Sequence, residues 1–310
     1  MRYLIGCDIG GTTFSSSIFT ENLQKIESSN KELVDSNDDT DTFLNKIKNQ
    51  ILSLAENRDK KDFIGVGVSC PGPLNSEKGI VFNTPNLKQI QNMNIKNKIR
   101  NLVSMPVTID NDANLFALGE HLQYKGDDKV IGGITIGTGL GFGIIVNGEI
   151  FTGGNGMAAE YGISPINDSE CWESNLSIRG LENLTIKYFG PESKIFSPKE
   201  LCNMAINSDI TAIKIWNEFG QNLGMVISHF INLIDPNAII IGGGISNAFS
   251  LFEKKLKETL LKHSPSYEKN KISIIESTKK EYSSQLGAAA IAHKKFILQN
   301  NKSMEIINEN

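Results

Sequence analysis

Three stretches of buried-strand character each run into a cluster of glycines, and this constrains the fold more than any other feature of the chain. Residues 3-YLIGCDIGG-11 lead into 8-DIGGTT-13, residues 130-VIGGITI-136 into 137-GTGLGFG-143, and 238-AIII-241 into 242-GGG-244. Short apolar runs rich in β-branched residues and bounded by glycine predict strands. Glycine just past such a strand lets the backbone approach a ligand and turn its N–H groups toward an anion. Eleven of the 28 glycines fall between Gly132 and Gly162, a density that ordinary turns do not require. A hairpin turn alone explains Gly10 and Gly11 equally well. Three such loops in two halves of the chain fit a bound nucleotide better.

The order of elements supports two halves. Strands are predicted at 3–11, 14–20 and 25–34, opening the chain as a meander. A helix follows from Asp41, capped by Asp41 or Thr42, with Phe43, Leu44, Ile47, Ile51, Leu52 and Ala55 at helical spacing. Strands at 63–69 and 107–112 and a helix at 113–124 complete the first half. The second half repeats the plan: two or three strands over 130–151, a long amphipathic helix over 211–235, a strand over 238–246, a helix over 248–262, a strand over 272–277 and a last helix over 284–299. The pattern predicts an α/β protein of two domains facing each other across a cleft. The boundaries are 1–115, completed by the C-terminal helix 286–300, and 116–285.

Composition excludes several classes. The chain has 310 residues, 39% hydrophobic and 21% charged, as in ordinary soluble proteins. A net charge of −4 with scattered lysines argues against nucleic acid as a partner. No apolar run reaches the roughly 18–20 residues that span a bilayer, so no membrane partner is expected. Cys7, Cys70, Cys171 and Cys202 are widely spaced, with no Cys-x-x-Cys, which suits buried, reduced thiols. The N-terminus enters a strand pattern at once, without a signal peptide, and a cytoplasmic protein is expected.

The glycine loops are not of the common nucleotide types. There is no Gly-x-x-x-x-Gly-Lys-Ser/Thr, and no Gly-x-Gly-x-x-Gly in a first βαβ unit. Asp8 ends a buried strand, where a lone carboxylate is costly unless it faces a cation. By itself, 110-DNDAN-114 reads first as a helix N-cap. Phosphoryl transfer to an alcohol, however, needs a carboxylate at the attacking hydroxyl and positive charge around the phosphates.

Taken together and in order, 8-DIGGTT-13, 67-GVSCPGPLN-75, 110-DNDANLFALGE-120, 132-GGITIGTGLGFGIIVNG-148 and 239-IIIGGGIS-246 resemble the ROK family across nearly the whole chain. These are bacterial sugar kinases and sugar-responsive repressors of the hexokinase, actin and heat-shock ATPase superfamily. The resemblance implies an actin/hexokinase-like (ribonuclease H-like) fold with an interdomain cleft. It implies that Gly10, Gly11, Thr12, Thr13, Gly137, Thr138 and Gly139 hold ATP phosphates, that Gly242, Gly243 and Gly244 lie against adenosine, and that Asp8 holds Mg²⁺ through water. Asp112 resembles the general base, and Asn86, Asn111, Glu160 and Glu173 the sugar contacts. Family repressors carry a helix-turn-helix ahead of this part. Only seven residues precede Asp8, so an enzyme is expected, and by resemblance a homodimer.

The sugar loop departs from the family. Many relatives read Gly-Glu-Ile-Gly-His, then Cys-x-Cys-Gly-x-x-Gly-Cys and Leu-Glu. Here the segments are 159-AEYGI-163 and 171-CWESNLS-177, so Ile163 stands in place of the histidine and Cys171 is the last remnant of the cysteines. One thiolate without the histidine cannot make a four-ligand site, and no zinc is expected. Isoleucine offers no hydrogen bond, and a lost partner in a hydroxyl-reading site weakens discrimination. The function implied is an ATP-dependent hexose kinase of carbohydrate metabolism, acting on the glucose 6-OH as in glycolysis. N-acetylmannosamine, N-acetylglucosamine, fructose or allose remain open as substrates, as does an inactive sugar-binding regulator.

Overall fold

The computed structural model describes residues 1–84, 87–126, 128–278 and 282–308, with side chains of the final helix as far as 297. Asn86 lies outside the described residues. In chain order come β1 (Tyr3–Ile9), β2 (Thr13–Thr20), β3 (Lys25–Ser28), β4 (Glu32–Leu33), α1 (Thr40–Ala55), β5 (Phe63–Cys70), β6 (Leu74–Asn75), β7 (Ile80–Val81), β8 (Met93–Asn94), α2 (Ile95–Val103), β9 (Val107–Asn111) and α3 (Asp112–Gln123). They are followed by β10 (Val130–Ile136), β11 (Leu140–Val146), β12 (Glu149–Ile150), α4 (Trp172–Asn175), α5 (Ile178–Phe189), α6 (Pro198–Ile206) and α7 (Ile210–Ile234). The chain closes with β13 (Ala238–Gly242), α8 (Phe249–His263), α9 (Pro265–Lys269), β14 (Ser273–Glu276) and α10 (Ser283–Asn308).

The described residues form two units, one from 1–125, 150–158 and 281–310, the other from 126–149 and 159–280. The first is built on a sheet in the order β3-β2-β1-β5-β9, with β4 also paired to β2. β1 runs antiparallel to β2 and parallel to β5, which is parallel to β9. Alternate residues of a strand face opposite sides of its sheet, so Ile5 joins the core under α1 and α2 while Leu4 packs beneath α10. That second layer is tight: a methyl group at Gly67 would fall on the backbone carbonyl of Ala288 in α10.

The second unit repeats the order, as β12-β11-β10-β13-β14, with an antiparallel β10–β11 hairpin and parallel β10, β13 and β14. Its core is aromatic. Trp216 and Phe219 of α7 pack on Phe252 of α8 with ring centroids 6.1 and 5.5 Å apart, geometry that adds to the burial of their large apolar surfaces.

Some expectations needed correction. The cap of α1 is Asp39, whose carboxylate accepts from Thr42 N–H at 2.7 Å, so the helix starts at Thr40 rather than after Asp41 or Thr42. The single strand expected at 25–34 is two short exposed strands, β3 and β4, both paired to β2. Of the four cysteines, all free, Cys7 and Cys70 are buried but Cys171 and Cys202 are only partly so. The segments 76–106 and 152–210, for which no element was predicted, hold β7, β8, α2 and α4 to α6.

Candidate active site

In the first unit the candidate residues gather at the C-terminal edge of three parallel strands. The register pairs Asp8 of β1 with Ser69 of β5, Ser69 with Asp110 of β9, and Cys70 with Asn111. Open α/β sheets bind ligands outside this end of their strands. Ser69 Oγ donates to Asp8 Oδ1 at 2.6 Å. Burial nevertheless pushes the Asp8 carboxyl above its usual range, against the opposing pull of Ser69 and of the Lys31 charge. The Cys70 thiol is raised chiefly by burial, and then by the charges of Asp112, Cys7 and Asp8.

The β1–β2 turn carries Gly10 to Thr13. Gly10 N–H donates to the Thr13 carbonyl at 2.8 Å, so a hairpin turn does account for that glycine. Among the described residues the N–H groups of Gly11 and Thr12 donate to nothing. Unpaired donors in a glycine turn form an anion-binding concavity.

Asn111 is the N-cap of α3, its side-chain oxygen accepting from Ala113 and Asn114 N–H at 2.9 and 3.3 Å. Its Nδ2 makes no hydrogen bond among the described residues and is available to a ligand hydroxyl. Asp112 lies in the first turn of α3, where a carboxylate interacts favourably with the helix dipole. Asp110 is occupied structurally: its Oδ1 accepts from Asn111 N–H at 2.7 Å and Asn114 Nδ2 at 3.1 Å.

In the second unit two glycine turns lie side by side at the C-terminal ends of β10 and β13. A side-chain carbon at Gly137 would stand 4.0 Å from the Gly244 nitrogen. Gly137 N–H bonds the Gly139 carbonyl at 2.9 Å, while the N–H groups of Thr138 and Gly139 donate to nothing among the described residues. Gly242 ends β13, Gly243 has φ +85°, and Gly244 opens a short 3-10 turn.

Glu173, in the first turn of α4, accepts from Leu140 N–H through Oε2 at 3.0 Å and so lies across the 137–140 turn. Glu160 precedes the 3-10 turn Tyr161–Ile163 and accepts no hydrogen bond among the described residues. Burial first, and the Glu173 charge second, hold its carboxyl above the usual range. A partly buried, unpartnered carboxylate is poised to accept from a ligand. The loop is set by two backbone features. Ala159 has φ +68°, a conformation that costs a non-glycine residue about 1–3 kcal/mol and is concentrated at functional sites. Gly162 packs so closely on the Leu140 carbonyl that a methyl group would overlap it. Ile163 points outward, 63% exposed.

The ROK family model matches residues 4–295. The chain belongs to the ROK family. It is 30% identical to a glucokinase of Halalkalibacterium halodurans over 83% of this chain and 84% of that protein. It is 32% identical to an N-acetyl-D-glucosamine kinase of Histophilus somni over 80% of this chain and 86% of that protein. A ROK glucokinase of Streptomyces griseus, solved with glucose and AMPPNP, superposes with a TM-score of 0.79 at 24% identity, covering 94% of this chain and 99% of that one. The fold is thus the mixed α/β, actin/hexokinase-like fold of ROK sugar kinases.

For this ROK chain the fit of a magnesium–nucleotide can be tested on its own residues. Among the described residues no group of three or more His, Cys, Asp or Glu is placed to hold a metal ion. Magnesium asks for less, since it keeps several waters and binds through one or two carboxylates plus phosphates. Asp8, a buried carboxylate at the end of β1 whose carboxyl burial holds above its usual range, fits that outer position. The unpaired N–H groups of the glycine turns fit phosphate oxygens.

Sequence reasoning missed the contacts of four residues. Ser69 orients Asp8 from 61 residues away. Tyr161 and His229 meet through a hydrogen bond spanning 68 residues. Trp172 has its ring against His229. No local pattern marks these contacts.

Proposed function

We propose that this chain is an ATP-dependent hexose kinase that transfers the γ-phosphoryl group to a sugar hydroxyl, the glucose 6-OH in the first instance. One observation carries the reading: Asp8, the first glycine turn with its unpaired donors, and the β9–α3 junction that carries Asp112 lie at one end of the parallel strands. That is the equipment phosphoryl transfer needs, a base, a metal-binding carboxylate and an anion cradle. Mg-ATP supplies the transferable phosphoryl group. Asp112 accepts the proton of the attacking hydroxyl. Asn111, through its free amide, and Glu160 and Glu173, through their oxygens, bind the remaining hydroxyls, with Asn86 as a further contact. Gly10 to Thr13 and Gly137 to Gly139 receive the phosphates, and Gly242 to Gly244 the adenosine. Asp8 holds the metal through water.

No helix of the described residues is long and apolar enough to cross a membrane, and the reading takes the protein as cytoplasmic. It also takes it as a homodimer, which a monomeric mass by light scattering would refute. N-acetylglucosamine is the leading alternative sugar, favoured by the 32% identity to the Histophilus somni kinase. The exposed Ile163 favours a sugar that needs no hydrogen bond there, or at the limit a sugar-binding protein without turnover.

The test is ADP release with Mg-ATP and glucose, mannose, fructose, allose, N-acetylglucosamine or N-acetylmannosamine. Sugar-dependent release is expected, with glucose or N-acetylglucosamine preferred; release that no sugar stimulates refutes the reading. A pH prediction follows from the Glu160–Glu173 pair. Glu160 is held above the usual carboxyl range, so it protonates early as pH falls and ceases to accept from the sugar. The KM for sugar should therefore rise on the acid side, with KM for ATP less affected. In Glu173→Gln the neighbouring charge is gone, Glu160 ionises more readily, and the acid limb should move to lower pH. Profiles of KM against pH that share one limb would eliminate this coupling.

A further inference from the structure

We propose that Tyr161, Trp172 and His229 act together as a positioning clasp that sets Glu160 and Glu173 for the sugar, an inference that rests on the kinase reading above. Tyr161 follows Glu160 in sequence and Trp172 precedes Glu173, so each aromatic stands one peptide from a carboxylate. Both converge on one histidine. The Tyr161 hydroxyl is 3.0 Å from His229 Nδ1. The Trp172 ring meets the His229 ring edge-on, with centroids 5.8 Å apart and planes at 69°. Tyr161 is steadied from its other side by Phe142 of β11, at 5.6 Å and 83°.

The carboxylates need such a brace. Glu160 sits before a three-residue 3-10 turn and Glu173 in the four-residue α4. Neither element is long enough to hold its own shape, because a single turn repays little of the entropy of ordering it. Backbone links do join the segments: Trp172 N–H donates to the Ser164 carbonyl at 3.2 Å, and Pro165 bridges Cys171. Those links fix the strand-like pairing of 164–172, and Gly162 and Glu173 tie it to Leu140 of β11; Tyr161 and Trp172 add a side-chain tie to α7. The two carboxylates also repel: the Glu160 carboxyl, raised first by burial, is raised further by the Glu173 charge. His229 belongs to the 25-residue α7, and Val226, Ile227, Phe230 and Ile231 around it are buried in the core. Its side chain is exposed, while its backbone lies within the helix and is flanked by those buried neighbours. The clasp therefore references both sugar-facing carboxylates to one rigid helix, the condition for a binding constellation to hold its geometry.

The test compares Tyr161→Phe, His229→Leu and His229→Gln with the wild-type protein, reading KM for the preferred sugar, KM for ATP, kcat and melting temperature. Tyr161→Phe keeps the ring on Phe142 and loses only the hydroxyl; His229→Gln keeps a hydrogen-bonding end. Sugar KM is expected to rise roughly five- to ten-fold in Tyr161→Phe and His229→Leu, the scale of one lost hydrogen bond. ATP KM, kcat and melting should stay near wild type, and His229→Gln should recover most of the loss. Sugar KM unchanged in all three, a parallel change in every constant, or no rescue by glutamine overturns the clasp. A wild-type protein that phosphorylates no sugar overturns the kinase reading, and the positioning role with it, so the two failures are told apart.

Discussion

Replacing Asp112 with alanine is expected to lower sugar phosphorylation by about 10³-fold, the middle of the range for losing a general base. That corresponds to roughly 4 kcal/mol of transition-state stabilisation. The effect should fall on kcat, because the proton moves only in the transition state, while KM for ATP and sugar change little. A structural cost is present but much smaller. Asp112 lies in the first turn of α3, and one of its oxygens is 2.9 Å from Ala113 N–H. A carboxylate there contributes about 0.3–1 kcal/mol through the helix dipole. Asn111 remains as the cap, so α3 should still form. Asp112→Asn, isosteric but unable to take the proton, should lose as much activity with less change in melting. Full ADP release from either variant would remove Asp112 as the base.

The second large effect is on folding. Gly67→Ala is expected to destabilise the first unit by about 3 kcal/mol or more, at or beyond the upper end for overpacked cores. Gly67 sits in the interior strand β5, between Gly6 of β1 and Thr108 of β9. Its missing side chain is where the Ala288 carbonyl of α10 passes. Both groups are main chain, so no rotamer change can relieve the overlap. Either α10 lifts, exposing Leu4, Phe19 and Leu286, or the sheet deforms. Gly154→Ala is the control, since a side chain there would meet nothing within 4 Å, and it should lie within about 0.5 kcal/mol of wild type. Thermal melts should show Gly67→Ala well below both; equal melts would mean that α10 does not pack this closely. With two units in the chain, transitions should be compared rather than converted to one unfolding free energy.

How much could be read beforehand varied with the kind of signal. β1, β2, β5, β9 and β13 were predicted because short runs with apolar and β-branched residues between turn residues are a local pattern. α7 was predicted because its stripe extends over 25 residues. α6 was not, although its start is written plainly: Ser197 and Glu200 form a capping box with Pro198 at the first position. That signal was present and went unread. α2 and α4 are short, of 9 and 4 residues, and periodicity over so few positions says little.

The sequence alone determined what depends on neighbours a few residues apart. It set the glycine turns after the buried strands, the cap-and-carboxylate pair Asn111–Asp112, the motif order that marks the ROK family, and the absence of histidine at Ile163. Only the tertiary structure decided which groups those residues meet. It brought Ser69 to Asp8, laid Glu173 over Leu140 N–H while leaving Glu160 unpartnered, joined Tyr161 to His229, and drove α10 against Gly67. The physical reason is range. Turns, caps and periodicity arise from forces within one or two turns of chain. Contacts across 33 to 68 residues depend on how sheets and helices pack, which no local pattern encodes.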